Sequence, residues 1–351
     1  MNVLVLGGTG AMGVHLVQLL SDNDFETVVT TRASRKNEYK VKYIQGNAHD
    51  IEFLQTILLE GWDAIIDFMV YSTAEFKSRV DLLLQSTAQY IFLSSARVYA
   101  DSPEPIRETS SRLLDVAIDE RYLSTDEYAL TKARQEDTLK NSEKNNWTII
   151  RPYITYSENR LQLGVLEKEE WLYRALKGRT IVFSEDIISK TTTLTYGLDV
   201  AKGITSVIGK RDALGEVYHI TGDSSIKWKD VLCIYLNVLE KHLGYKPKVL
   251  LSNLDKFMEI HPAEYQIKYD RLYNRAFNNS KISDYVETST FMQTEEGLSL
   301  CLETFLKDPK FSNINWGKEA VKDKLTKEYS SLKEIKGTKQ KIKYLIFKYL
   351  K

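Results

Sequence analysis

The feature that most constrains this chain is its first turn. Residues 2–6 read Asn-Val-Leu-Val-Leu, a short apolar run with β-branched members. Gly7-Gly8-Thr9-Gly10-Ala11-Met12-Gly13 follows at once, and the next stretch carries apolar residues at Leu16, Val17, Leu19 and Leu20. Strand, glycine turn and helix in immediate succession leave few architectures open. Gly7 lets the chain turn sharply, Gly10 removes a side chain where an anion would approach, and Gly13 lets the helix lie close to the strand. The helix N-terminus adds unpaired N–H groups and a partial positive charge. Gly7, Gly10, Ala11, Met12 and Gly13 are therefore the candidate cradle for the pyrophosphate of a dinucleotide.

The rest of the first 150 residues repeats the alternation. Strands are predicted at about Thr27–Thr31, Val41–Ile44, Asp63–Val70, Tyr90–Leu93 and Trp147–Ile150. Helices are predicted at Ile51–Leu59, with Asp50 as cap, and at Phe76–Gln85 and Asp126–Lys140. The run at Asp63–Val70 is almost continuously apolar, as a parallel strand buried on both faces requires. This is the pattern of an α/β fold, a Rossmann-type doubly wound parallel sheet, with a smaller C-terminal substrate lobe. Ligands of such sheets lie at the carboxyl ends of the strands, where Gly7, Arg32, Asn47, Phe68 and Ser95 fall. At the end of the second strand an acid would hold a ribose 2′-hydroxyl; Thr31 and Arg32 stand there instead. That exchange favours NADP(H) over NAD(H), because it removes repulsion toward a 2′-phosphate and supplies a guanidinium.

Composition narrows the function. Lysine and arginine total 48 against 48 aspartates and glutamates, so no nucleic-acid bias shows. Cys233 and Cys301 make no disulfide framework, and the five histidines form no ligand pattern, so no metal site is predicted. The chain opens directly in a strand without a signal peptide, and no apolar run is long enough to span a bilayer, so a cytoplasmic location is expected.

Tyr128 and Lys132 are four residues apart and share a helix face. A lysine ammonium beside a phenol favours the phenolate, which can take a proton from a sugar or alcohol hydroxyl. The hydroxyl of Ser95 can orient the reacting oxygen. The spacing alone means little, since it recurs at Tyr173, Tyr329 and Tyr344, in charged stretches that read as solvated faces. Tyr128 differs in lying between a strand that runs into Ser94-Ser95 and a strand closed by Arg151-Pro152.

At this point the chain resembles the extended short-chain dehydrogenase/reductases, the NAD(P)-dependent nucleotide-sugar epimerase/dehydratase family. The resemblance rests on Gly7–Gly13, Ser94–Tyr99, Tyr128–Lys132 and Ile150-Arg151-Pro152, and continues through Leu198-Asp199-Val200-Ala201, Tyr218-His219-Ile220, Asn279-Ser280-Lys281 and Glu295–Leu298. It implies catalytic roles for Ser95, Tyr128 and Lys132. It also implies adenine contacts at Asn47 and Ala48, cofactor lining at Phe68, Met69 and Val70, and a nicotinamide-side contact at Tyr153. Where dehydratases of the family place an acid pair, this chain has Ala96 and Arg97, which argues against dehydration. The usual substrate-touching asparagine is Ile154. Arg97, Ile154, Lys190, Lys268 and Arg271 are the candidate substrate contacts. The implied partners are a nucleotide-sugar substrate and a second copy of the chain in a homodimer.

The expected division is a dinucleotide-binding domain over 1–160, with 191–222 returning to it, a mainly substrate-binding lobe over 161–312 and a charged helical tail over 313–351. Residues 331–351 hold seven lysines against the single acid Glu334, so a peripheral membrane contact through the tail is a further expectation. The resulting first reading is a nucleotide-sugar epimerase working by hydride transfer. The alternative is an NADPH-dependent keto-sugar reductase. A third reading is a non-catalytic RNA-binding relative, as in some chloroplast proteins resembling the family; the intact triad and neutral charge stand against it.

Overall fold

A computed structural model describes residues 1–350, which form two compact units. The first comprises residues 1–157, 193–225 and 275–294. Its strands and helices, in order, are β1 (Asn2–Leu6), α1 (Gly13–Asp22), β2 (Glu26–Thr31), β3 (Val41–Gln45), α2 (Ile51–Leu58), β4 (Trp62–Asp67), α3 (Thr73–Lys77), α4 (Val80–Gln85), β5 (Thr87–Leu93), α5 (Leu113–Val116), α6 (Glu120–Leu123), α7 (Tyr128–Lys140) and β6 (Trp147–Pro152). A seventh strand, Glu216–Ile220, joins after the long helix Gly197–Val207. The sheet runs in the order Glu216–Ile220, β6, β5, β4, β1, β2, β3, all parallel.

Apolar residues on both faces make this sheet. Val3, Val5, Ile66 and Ile91 face α1 and the helix Gly197–Val207; Leu4, Leu6, Ile65, Tyr90 and Phe92 face α2, α4 and α7. Strand order reverses beside β1, between β4 and β2, and the carboxyl ends there form the crevice that such sheets offer to ligands. The helix predicted over Phe76–Gln85 is two helices. Ser78 Oγ and Arg79 Nε both donate to the Glu75 carbonyl at 2.8 Å, which ends α3 before α4 begins. Residues 275–294, expected in the substrate lobe, belong to this unit. Arg275 donates to the carbonyls of Tyr99 and Ala100, and Asn279 to that of Thr221.

The second unit comprises residues 158–192, 226–274 and, of the described residues, 295–350. Ile181–Ser184 pairs in parallel with Val249–Ser252, and the helix Trp228–Leu243 ends at Gly244 in the left-handed region. Trp171 and Trp228 are core residues. The C-terminal residues are part of this unit and not an appendage. Arg174, fully buried, is ringed by Glu319, Asp323 and Glu328 at 2.7–3.0 Å. The Tyr344 hydroxyl donates to Asp323 at 2.7 Å and accepts from Ser330 N–H at 2.8 Å. Tyr344, expected on a solvated face, is therefore buried: a tail rich in charge still packs where its charges meet opposite ones. Ile342, in the helix Thr338–Leu345, and Tyr349 and Leu350, in the π turn that follows it, are exposed. Among the described residues no helix is long and apolar enough to cross a membrane.

Candidate functional site

The glycine turn opens onto a cleft of about 280 Å³ whose lining includes Gly7, Arg32, Asn47, Phe68, Met69 and Val70. Gly7 has φ +74°, and its N–H donates to Thr30 Oγ1 at 3.1 Å, tying the turn to β2. A Cβ at Gly13 would lie 2.5 Å from the Gly8 backbone, so α1 can pack on its own turn only without one. A Cβ at Gly10 would meet nothing within 4 Å; the turn faces open space there. No side chain caps α1, and its first turn has no acid, whereas Asp50 caps α2 and Ser72 caps α3. An uncapped helix start on a bare glycine turn suits a pyrophosphate. Ala11 and Met12 complete the turn, and Ala48 is buried beside Asn47. Among the described residues lining the cleft none is acidic, and Arg32 is exposed there. A larger hollow of about 520 Å³ lies at the opposite, amino ends of β1 and β2 and holds none of the predicted site residues.

Ser95 follows β5 and begins a single 3₁₀ turn, Ala96–Val98, its Oγ accepting from Arg97 N–H at 3.2 Å. Tyr128 is the first residue of α7. Glu127 caps that helix, Oε2 accepting from Ala129 N–H at 2.8 Å, while Oε1 takes Arg97 Nη2 at 2.5 Å. The guanidinium so held lies 5.3 Å from the centroid of the Tyr128 ring. One turn along α7, Lys132 Nζ donates to the Leu93 carbonyl at 2.7 Å, and burial brings its pKa down to about 8. Ser95, Arg97, Tyr128 and Lys132 thus gather where β5 ends and α7 begins.

Behind them is a polar layer that sequence reasoning missed. Glu136, fully buried, accepts from Ser94 Oγ at 2.6 Å and from Arg151 Nε and Nη2 at 2.8 and 2.6 Å. Burial works to raise its pKa, but Arg151 and Ser94 outweigh that and hold it below the usual carboxylate range. Ser94 is thereby committed to the scaffold. The available signal was position: Glu136 lies one turn beyond Lys132, and Arg151 closes β6 beside it. Tyr153 is buried, its ring 5.1 Å from that of Phe277. Ile154 has φ +27°, a conformation a β-branched residue rarely adopts. Lys190, Lys268 and Arg271 lie in the second unit. Within it, Lys190 is half-buried and Lys268 exposed. Arg271 is buried, donates from Nε to the Gly164 carbonyl at 3.0 Å and pairs with Asp270.

The sequence model of the NAD dependent epimerase/dehydratase family matches residues 3–221. This chain belongs to that family. The family likeness covers the whole cleft, the 3₁₀ turn and α7. Among curated proteins, the chloroplast stem-loop binding protein of 41 kDa b of Arabidopsis thaliana is 25% identical over 243 residues, 64% of this chain. The match spans 60% of that protein's length. The UDP-glucuronic acid 4-epimerase of Bacillus cereus, solved with UDP-glucuronic acid and NAD, superposes with a TM-score of 0.65 at 17% identity, over 88% of this chain and 99% of that one. The Bordetella bronchiseptica enzyme WbmH, solved with NAD⁺, gives 0.66 at 14% identity over the same shares. MoeE5, solved with UDP-glucuronic acid and NAD, gives 0.67 at 15% identity, again over 88% and 99%. At these identities the likeness to these solved structures is one of fold.

Proposed function

We propose that the protein is an NAD(P)-dependent nucleotide-sugar epimerase acting through Ser95, Tyr128 and Lys132. The observation that carries this reading is the convergence at the end of β5. Lys132 is anchored on the Leu93 carbonyl, Tyr128 begins α7 under the Arg97 guanidinium, and Ser95 stands two residues beyond Leu93. Tyr128, with the Arg97 guanidinium 5.3 Å from its ring centroid and Lys132 one turn along α7, takes the proton from the sugar hydroxyl as its carbon is oxidised, and returns it after the keto-sugar has turned over. Ser95 orients that oxygen and supports its developing charge. A nicotinamide dinucleotide held by Gly7–Gly13 would accept the hydride and give it back to the other face. Arg97 stands where an acid would serve dehydration, and its charge opposes that chemistry. The solved relatives that carry UDP-glucuronic acid lend support to a nucleotide sugar as substrate.

NADP(H) is the proposed cofactor, on the exposed Arg32 and the absence of an acid at the end of β2. Arg32→Glu is expected to weaken NADPH binding about tenfold or more while leaving NADH within about threefold, as loss of one charge-assisted contact implies. Fluorescence titration of both nucleotides reads this directly; equal losses for both would remove the assignment.

The reading itself is tested by denaturing the purified protein and identifying any released dinucleotide by mass spectrometry. About one cofactor per chain surviving dialysis supports an epimerase, which regenerates it in place. An empty protein that binds NADPH supports the keto-sugar reductase. A protein that binds neither dinucleotide but retains a structured RNA would favour the third reading, a non-catalytic RNA-binding relative, in line with the stem-loop binding named for the Arabidopsis protein.

A further inference from the structure

The carboxyl end of β4 holds an acid that the chemistry above does not use. Asp67 is fully buried. It stands opposite Phe92 in the register of β4 and β5, and the Lys132 ammonium lies 4.5 Å from the centroid of the Phe92 ring. The Asp67 side chain is on the same sheet face as Tyr90, whose hydroxyl donates to Oδ2 at 2.8 Å; Met69 N–H donates to Oδ1 at 2.8 Å. Two neutral donors are poor compensation for a carboxylate removed from water, which costs several kcal/mol unless a cation is near.

The charged groups around this spot can be sorted. Glu136, on α7, is taken by Arg151 of β6 and by Ser94. Arg79 stacks 4.5 Å from the ring of Tyr71 and donates to the carbonyl of Glu75 at 2.8 Å. Asp67 and Lys132 then remain beside Phe92, two buried groups of opposite sign with no direct ion pair of their own, and Tyr71, buried at the same end of β4, is neutral. We propose that Asp67 is the counter-charge that keeps the Lys132 ammonium charged at the buried end of β5, a positioning residue for every step that depends on that lysine. The assignment deepens the reading of Lys132 above and rests on it for its functional meaning.

The titration directions agree. Burial lowers the Lys132 pKa to about 8, and Asp67 and then Glu136 oppose that fall. Burial raises Asp67, while Met69 N–H, Tyr90 and Lys132 pull it back. Without Asp67 the ammonium would give up its proton near neutrality. It could then neither acidify the Tyr128 phenol nor donate to a bound hydroxyl with full charge.

A purely structural Asp67, serving only Tyr90 and Met69, makes a different forecast, and the full chain without cofactor separates the two. In protein labelled with ε-¹³C lysine, the resonance missing from Lys132→Met belongs to Lys132. Its midpoint should lie near 8 in the wild type and fall by about one pH unit or more in Asp67→Asn, a near-isosteric change that still accepts from Met69 N–H. Conversely, the Asp67 carboxyl carbon, assigned by its loss in Asp67→Ser, should take up its proton at a pH about one unit or more higher in Lys132→Met. An unchanged lysine midpoint in Asp67→Asn overturns the proposal. If that variant does not fold, an unchanged Asp67 titration in Lys132→Met overturns it equally. A wild-type chain that binds no dinucleotide would sink the epimerase reading and still leave both titrations to decide this one.

Discussion

Ile154 is the residue whose backbone is least comfortable. Its φ of +27° places a β-branched side chain where such residues are outliers, and its carbonyl takes Thr195 N–H at 3.2 Å. Strain of this kind costs about 1–3 kcal/mol and persists where surrounding structure overrides it. Ile154→Asn removes part of the packing against the cluster of Val98, Tyr153 and Phe277, worth about 1.5–2 kcal/mol, but Asn tolerates this region of φ. The variant should therefore unfold within about 1 kcal/mol of wild type in urea. A loss of 3 kcal/mol or more would show that no strain is stored there. Lys132 makes a prediction in pH. Its folded pKa of about 8 lies below its ordinary 10.5, so between those values the unfolded chain binds more protons than the folded one. Stability then rises with pH across that window and is penalised below it. Wild type should gain on Lys132→Met from about pH 8 to 10.5, at up to about 1.4 kcal/mol per pH unit. Parallel stability curves for the two proteins would contradict the burial of a charged lysine.

At the scale of elements, α7 is held at its start by one side chain with two tasks. Glu127 caps the helix and fixes Arg97. Glu127→Ala should cost about 1–2 kcal/mol, a cap plus a partly shielded ion pair, seen as a lower urea midpoint with unchanged slope. A midpoint within error of wild type would mean that α7 is anchored by its buried face alone. The alternation that marks β1 through β6 was readable because strands buried on both faces must be apolar throughout, and the glycine turn because its steric demands are local. Glu127, Glu136 and Asp67 were not readable. A charged residue on a helix face or at a strand end looks solvated until the register of β4 against β5 and the packing of α7 show what it meets. The break between α3 and α4 was hidden for a similar reason, since the Ser78 and Arg79 bonds to one carbonyl interrupt an otherwise helical pattern.

At the scale of the molecule, residues 313–351 read from sequence as a charged helical tail, with lysines dominating its end. The structure instead spends the acids just before them on Arg174. Asp323 also accepts from Ser330 Oγ at 2.6 Å and from Tyr344 at 2.7 Å, so it joins three chain segments. Asp323→Asn leaves a buried guanidinium short of charge and should destabilise the second unit by about 3–5 kcal/mol. Calorimetry should then resolve an early transition for that unit from the unchanged melting of the parallel sheet. A single transition at the wild-type temperature would mean that Glu319 and Glu328 suffice.

The Arg174 cluster also sets an order of events during synthesis. The parallel sheet has six of its seven strands by Pro152 and the seventh by Ile220. Arg174 emerges 145 residues ahead of Glu319 and 154 ahead of Glu328. At the usual pace of translation that is roughly 7 to 30 s in which the guanidinium has water for company and no counter-ions to bury it. The parallel sheet can be complete on the ribosome while Arg174 still waits for its acids, and a chain stopped before Glu319 would carry that finished sheet together with a guanidinium that has no counter-ion to bury it.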